Sequence, residues 1–139
     1  MALPDEFAIP TRTVLLVEDE TLVAMIAVDS LSELGYEVVE VATARAALEQ
    51  ARRDCARFDF AVIDMGLPDH PGDHLIAELR KIRPNLPVIV ASGYGESEVR
   101  RRFEPGERFA FLNKPYERNS LRAAIDSLGL ADPSREPTC

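Results

Sequence analysis

The chain has 139 residues and a formal net charge of −8 at pH 7. This length suits a single domain, and an apolar content of 46% is enough to build its core. The acidic balance disfavours non-specific binding to nucleic acid and to anionic membranes, so neither is expected as a partner.

The chain is predicted to consist of one folded domain with a flexible segment at each end. Residues 1–12 are predicted to be a flexible leader, because Pro4 and Pro10 oppose regular structure there. The folded domain is expected over residues 13–128, followed by a flexible polar tail over residues 129–139. The leader lacks the basic and apolar parts of a signal peptide, and no apolar run reaches membrane-spanning length. A cytoplasmic location is therefore expected.

Short apolar runs predict five strands, at residues 13–17, 37–41, 58–63, 86–91 and 109–112. The second run, EVVEV, is the most polar and is expected nearer to the edge of a sheet. Helical periodicity predicts helices over residues 21–34, 96–103 and 117–128. Two further helices are predicted to begin at the caps Thr43 and Asp73. Alternating strands and helices indicate an α/β fold, with a parallel sheet covered on both faces.

Polar residues follow four of the five predicted strands at once. The first strand runs into Glu18 and Asp19, the third into Asp64, the fourth into Ser92 and the fifth towards Lys114. Ligands of open parallel α/β sheets bind at the carboxyl ends of the strands. We therefore expect these side chains to converge, although they are far apart in sequence.

The residue types in this cluster suit phosphoryl transfer. Three neighbouring carboxylates repel each other and need a cation. A small set of hard oxygen ligands suits Mg²⁺, which also takes up a phosphate oxygen. A lysine and a hydroxyl can position a phosphoryl group and neutralise its oxygens. One carboxylate can itself be the nucleophile and form an acyl phosphate.

Each of these features also has a structural explanation when it is taken alone. An acidic pair after a strand complements a helix dipole, and an aspartate there can cap a helix. Lysine followed by proline is common in loops. Four such features at successive strand ends, in this order, favour one functional site.

Four segments carry a resemblance to a known family: VLLVEDE (14–20), FDFAVIDMGLPDHPG (58–72), PVIVASGYG (87–95) and FLNKPY (111–116). In order and spacing they resemble the receiver domain of bacterial response regulators, the phosphorylated partners in two-component systems. The resemblance covers about residues 13–128. It implies a doubly wound, flavodoxin-like (βα)5 fold with strand order 2-1-3-4-5.

The resemblance also implies roles for individual residues. It makes Asp64 the phosphoacceptor and a Mg²⁺ ligand. Asp19 is expected to bind the metal directly, Glu18 to act through water, and the backbone carbonyl of Gly66 to complete the protein ligands. Ser92 matches the hydroxyl residue that hydrogen-bonds the phosphoryl group.

The resemblance also implies roles for residues in and after the fifth strand. Lys114 matches the lysine that pairs with the phosphoryl group, and its bond to Pro115 is expected to be cis. Phe111 matches the aromatic switch position, which is expected to respond together with Ser92. Ordinary core packing is an equally good explanation of Phe111.

Some positions depart from the commonest pattern of the family. Glu18 stands where aspartate is more usual, and Ser92-Gly93-Tyr94 resembles a subgroup of single-domain regulators with a Ser/Thr-Gly-Tyr sequence. Gly66 and Tyr94 flank the path by which water would reach a phosphorylated Asp64. Neither offers a carboxylate or carboxamide to position that water, so we expect dephosphorylation on the order of minutes or longer.

The resemblance implies protein partners as well. The phosphoryl donor would be a phosphohistidine on a histidine kinase or a histidine phosphotransfer protein. A downstream protein is expected to bind the surface of the fourth helix, fifth strand and fifth helix. The Arg100, Arg101 and Arg102 run on that surface is explained either by a solvated helix face or by a docking patch.

The chain ends soon after the predicted fifth helix, so no DNA-binding output domain is expected. A complete single-domain regulator, a relay intermediate or phosphate sink, and a fragment of a longer protein all remain open.

Two other functions are alternatives to a signalling module that is not an enzyme. An aspartyl phosphatase favours a catalytic acid two residues after its nucleophile, where Gly66 stands here. A flavodoxin-like flavin carrier needs a glycine- and hydroxyl-rich phosphate loop after the first strand. Glu18, Asp19 and Glu20 would instead repel a phosphate there.

Overall fold

The structure is a computed structural model, and it describes residues 12–130. The leader and the tail predicted from sequence lie outside the described residues, apart from Arg12, Gly129 and Leu130. Five strands alternate with five helices. The strands are β1 (Thr13–Val17), β2 (Glu37–Val41), β3 (Phe60–Asp64), β4 (Val88–Ser92) and β5 (Ala110–Asn113). The helices are α1 (Thr21–Glu33), α2 (Ala44–Arg53), α3 (Gly72–Ile82), α4 (Glu96–Arg100) and α5 (Arg118–Ser127).

The strands form one parallel sheet in the order β2-β1-β3-β4-β5. This confirms the predicted α/β fold and strand order. Strands β1, β3 and β4 are buried along their whole length, while β2 is partly exposed at the sheet edge, as its polar residues predict. None of the helices in the described part of the chain has the length and apolar character needed to cross a bilayer.

Two hydrophobic cores lie on opposite faces of the sheet. Because side chains alternate along a strand, Leu15 and Ile63 join the core under α2, α3 and α4, while Leu16 and Val62 join the core under α1 and α5. Strands buried on both faces explain why their sequences are continuous apolar runs rather than alternating ones.

The sheet register brings the polar strand ends together. Val17 pairs with Ile63, which places Glu18 beside Asp64 at the next level. One strand further, Asp64 pairs with Ala91, and Ser92 pairs with Asn113. The residues that follow the strands therefore meet at one edge of the sheet.

Most helix boundaries agree with the sequence signals. The Thr43 side chain accepts a hydrogen bond from the Ala46 N–H at 3.1 Å, as expected of a cap. Gly35 and Gly129, which follow α1 and α5, have φ angles of 96° and 59°. A side chain is disfavoured in this left-handed region, and glycine is the usual residue there.

The prediction that Asp73 caps the third helix is wrong. The cap position is Pro71, two residues before the predicted cap, so the helix starts at Gly72 and Asp73 lies inside its first turn. A β-carbon on Gly72 would lie 2.7 Å from the backbone oxygen of Asp64, so this glycine allows the helix to start against the end of β3. Helix α4 is also shorter than predicted, since it ends at Arg100.

Candidate functional site

Three carboxylates meet at the carboxyl ends of β1 and β3. One oxygen of each of Glu18, Asp19 and Asp64 lies within 4.8 Å of the others. Glu18 and Asp64 are buried, whereas Asp19 is exposed to solvent. The structure thus brings together the acidic trio that the sequence predicts.

Lys114 joins this trio from the end of β5. Its Nζ atom lies 3.0 Å from Asp64 Oδ1, 3.0 Å from Glu18 Oε2 and 3.8 Å from Glu20 Oε1. The Lys114 N–H donates to the Ser92 carbonyl at 2.9 Å, which fixes the backbone of Lys114 beside β4. The Lys114–Pro115 bond is cis, as predicted. One ammonium group is therefore shared by three carboxylates.

The Glu18 side chain is fully buried, and its carboxylate accepts hydrogen bonds from three donors. Besides Lys114, the Tyr116 hydroxyl donates to Glu18 Oε2 at 3.3 Å, and the Glu20 N–H donates to Oε1 at 3.3 Å. A buried carboxylate is costly unless such partners compensate for the lost water. Tyr116, which lies in the segment FLNKPY, was not predicted from the sequence as a site residue.

Burial and neighbouring groups shift the pKa values of the ionisable side chains in the site. Burial raises the pKa of Glu18 above its usual 4.5, and the charge of Asp64 adds to this effect. Burial and the interaction with Asp64 likewise raise the pKa of Asp19 above 3.8. Burial by itself lowers the pKa of Lys114, but hydrogen bonds and charges from Glu18 and Asp64 outweigh it and raise that pKa. The lysine therefore stays charged beside the two acids.

Tyr116 remains a neutral hydrogen-bond donor in this setting. Burial raises the pKa of its hydroxyl far above the usual 10.0, and the nearby charges of Glu18 and Asp64 raise it further. A deprotonated tyrosine beside two carboxylates would be strongly disfavoured. Its hydroxyl therefore keeps the proton that it donates to Glu18.

A cavity of about 410 Å³ opens above Asp64 and is called the site cavity below. Its lining includes Glu20, Asp64, Met65, Gly66, Ser92, Gly93, Tyr94, Glu98, Val99, Arg102 and Lys114. The Gly66 N–H donates to Asp64 Oδ1 at 3.0 Å and orients this carboxylate. The cavity offers room for an anionic group next to the Asp64 oxygens and the Lys114 ammonium.

Ser92 and Tyr94 form the wall of the site cavity on the β4 side. Ser92 is buried, and its Oγ accepts a hydrogen bond from the Tyr94 N–H at 2.9 Å. Tyr94 also lines the cavity and is 67% exposed. The cavity lining thus includes a buried hydroxyl residue and an exposed aromatic residue.

The donor set fits a hard divalent cation. Three carboxylates within 4.8 Å supply only oxygen ligands, and the raised pKa values of Glu18 and Asp19 indicate that added positive charge would be favourable. Gly66 lies beside Asp64 as expected. The role of its carbonyl as a ligand stays a prediction.

Phe111 lies apart from the site cavity. It is partly buried and packs into the core under α2, α3 and α4, whose members include Val99, Phe103 and Phe109. Arg102 and Glu98 do line the cavity, which sequence reasoning did not foresee. The positions of Glu98 and Arg102 relative to Asp64 depend on where α4 ends, and the spacing of residues in the sequence does not predict that end.

A doubly wound sheet with three carboxylates, a hydroxyl and a lysine at its carboxyl edge defines the class of phosphoacceptor signalling domains. The family model described as "Response regulator receiver domain" matches residues 14–126. The chain belongs to this family, and it is a receiver domain of the two-component signalling type.

Several known proteins are similar to this chain. The sensor kinase CckA of Brucella abortus is 37% identical over 118 residues, which are 85% of this chain and 12% of the kinase. The chemotaxis protein CheY of Thermotoga maritima is 29% identical over 119 residues, covering 84% of this chain and 97% of CheY. The transcriptional regulatory protein GlrR of Escherichia coli is 28% identical, and the match spans 26% of its length.

Solved structures of similar fold point to the same family. The crystal structure of a response regulator receiver protein from Sinorhizobium medicae superposes with a TM-score of 0.75 at 26% identity. The match covers 87% of this chain and 96% of that one. This chain thus matches some relatives over almost their whole length and others over a small part only.

Proposed function

We propose that this receiver domain accepts a phosphoryl group on Asp64 from a phosphohistidine donor, on a histidine kinase or a histidine phosphotransfer protein. The observation that carries the proposal is the position of the Asp64 carboxylate. It lies in the wall of the site cavity, with the Lys114 ammonium 3.0 Å from Oδ1. Receiver domains as a family interact with such kinases and with downstream effectors.

The chemistry follows from the residues around the cavity. An Asp64 oxygen attacks phosphorus, the bond to the donor nitrogen breaks, and that nitrogen keeps the electron pair. Lys114 and Ser92 line the same cavity as Asp64, which supports the proposal that the ammonium and the hydroxyl receive phosphoryl oxygens once the acyl phosphate has formed. Neutralising and positioning these oxygens is the main contribution that a protein makes to phosphoryl transfer.

Glu18, Asp19 and Asp64 are the proposed holders of Mg²⁺, together with the carbonyl of Gly66. When bound, this ion supplies positive charge to the phosphoryl oxygens. Asp19 is the exposed member of the trio and remains the proposed direct ligand. Glu18 is already held by Lys114 and Tyr116, which supports a role through water.

The output is proposed to arise from a change at the α4, β5 and α5 surface. Ser92 and Lys114 are drawn towards the phosphoryl group. Their backbones are linked, since the Lys114 N–H donates a hydrogen bond to the Ser92 carbonyl at 2.9 Å. Movement at the ends of β4 and β5 would displace Phe111, which is part of β5, and the neighbouring helix α4. A downstream protein that prefers one of the two arrangements then shifts the equilibrium between them. We propose that the only reactions the domain catalyses are the phosphorylation and dephosphorylation of its own Asp64.

The test is incubation with acetyl phosphate and Mg²⁺, followed by intact mass measurement. The wild type should gain one phosphoryl group, which hydroxylamine removes as expected of an acyl phosphate. Asp64→Asn should gain none, whereas the control Asp29→Asn, on the exposed side of α1, should behave as wild type. A stable label on the Asp64→Asn variant would place the phosphoacceptor elsewhere.

A further inference from the structure

The three consecutive arginines after Val99 lie in different surroundings. Arg100 Nε pairs with Glu96 Oε2 at 2.8 Å, and its guanidinium lies 4.4 Å from the centroid of the Phe109 ring. Arg101 is exposed and is not part of the site cavity lining. Arg102 is also exposed, but it lines the site cavity together with Asp64. One arginine of the run therefore shares a cavity with the phosphoacceptor.

The charges around the site cavity leave Arg102 available. Its lining includes the acidic residues Glu20, Asp64 and Glu98 and the basic residues Arg102 and Lys114. Lys114 is already engaged with Asp64. Within residues 12–130, Arg102 has no carboxylate oxygen within 4.0 Å, although Glu98 lies four residues earlier in the sequence.

The Arg102 guanidinium in the cavity lining can offset the repulsion between the acidic chain and an anionic phosphodonor. A phosphodonor is an anion, and it must approach a chain with a net charge of −8 through a cavity with three acidic residues in its lining. Like charges slow such an encounter, and a cation at the entrance offsets them. Guanidinium groups also match two phosphate oxygens at once.

We propose that Arg102 contacts the anionic phosphodonor, draws it into the site cavity and holds a phosphoryl oxygen before transfer. This proposal rests on the proposed function of Asp64. With acetyl phosphate as donor, an Asp64 oxygen bonds to phosphorus, the bond from phosphorus to the acetate oxygen breaks, and acetate leaves with the electron pair. Arg102 forms no covalent bond and moves no proton.

The test compares initial rates of phosphorylation of the full chain by acetyl phosphate with Mg²⁺ at low and high salt. Arg102→Gln should slow the reaction about threefold to tenfold at low salt, the size expected for losing one charge near a reacting anion. Added salt should shrink this difference, because it screens exposed charges. Arg102→Lys keeps the charge and should retain most of the rate.

Arg101→Gln is the matched control, since it removes the same charge from the neighbouring residue outside the cavity lining. Its rate should stay within about twofold of wild type. Equal rates for Arg102→Gln and Arg101→Gln, with Asp64 still labelled, would overturn the role of Arg102 and leave the phosphoacceptor in place. A wild type that takes up no phosphoryl group would overturn both proposals.

Discussion

At the scale of single residues, Asp19 is expected to destabilise the metal-free fold. Its pKa is raised above 3.8, so the folded protein favours the protonated acid, and stability is lost as the pH rises from the unfolded pKa through the folded one. Asp19→Asn should therefore be at least as stable as wild type at pH 7 without metal. Because the group is exposed and screened, we expect a gain of about 1 kcal/mol or less.

Addition of Mg²⁺ should make the wild type more stable than Asp19→Asn. At ten times its dissociation constant, a ligand stabilises the folded state by about 1.4 kcal/mol. Thermal unfolding with and without Mg²⁺ measures this gain, which should be present in wild type and in Asp29→Asn and largely lost in Asp19→Asn. An equal Mg²⁺ effect in all three proteins would remove Asp19 from the proposed metal site.

Gly66 and Tyr94 are expected to set the lifetime of the phosphorylated state. Neither can position a water molecule, so the wild type should lose its label on the order of minutes or longer. A β-carbon on Gly66 meets Asp64 Oδ1 at 3.8 Å, an ordinary contact, so Gly66→Asn fits and should speed decay. Tyr94→Ala should also speed it by opening the entrance.

The measurement is decay of labelled protein after the donor is removed. Gly95→Ala is the control, because Gly95 is not in the site cavity lining and a β-carbon there meets nothing within 4 Å. Decay of the wild type within seconds, unchanged by the substitutions at Gly66 and Tyr94, would contradict the argument from access.

At the scale of elements, the contact between β3 and α3 depends on Gly72. A β-carbon there would lie 2.7 Å from the Asp64 oxygen and 2.8 Å from the Met65 α-carbon, both backbone atoms that cannot yield easily. We expect Gly72→Ala to lower the free energy of unfolding by about 1–3 kcal/mol, as overpacked cores do. Gly93→Ala, where a β-carbon meets nothing within 4 Å, should have little effect. Urea denaturation compares the two variants, and similar midpoints would refute the steric explanation.

The elements were largely predictable, whereas some of their contacts were not. Strand runs such as TVLLV are buried on both faces, so their apolar character alone marks them. The contact of Tyr116 with Glu18 joins residues 98 positions apart and depends on how β5 and its following turn pack. The predicted cap at Asp73 was wrong because the sequence does not reveal the close approach at Gly72, which lets the helix start before Asp73.

At the scale of the whole molecule, Asp69 is expected to contribute to stability except in acid. Its carboxylate accepts the N–H groups of Ala44 and Arg45, each at 3.0 Å, and so ties the loop after β3 to the start of α2. These hydrogen bonds lower the pKa of Asp69 below 3.8. Its contribution is therefore present above the unfolded pKa and is lost as the pH falls through the folded pKa.

Asp69→Asn should be less stable than wild type at pH 7, and the difference should narrow below about pH 3.8, the usual pKa of the group. Denaturant midpoints measured across this range test the expectation. Asp126→Asn is the control, since Asp126 is exposed and its side chain makes no hydrogen bond or ion pair within residues 12–130. A difference between Asp69→Asn and wild type that is constant with pH would contradict the role of the charge.

The sheet register described above also limits how the length of this chain can vary. Side chains alternate between the two faces of a strand, so deleting one residue between Phe60 and Ile63 would turn Asp64 to the opposite face. One residue inserted within β4 would likewise carry Ser92 away from the cavity. Insertions in the loops that precede the strands, at the amino ends of the strands, leave this alignment of the site residues intact. Tolerance to length changes should therefore differ between the two ends of the same sheet, with the permissive loops at the amino ends of the strands.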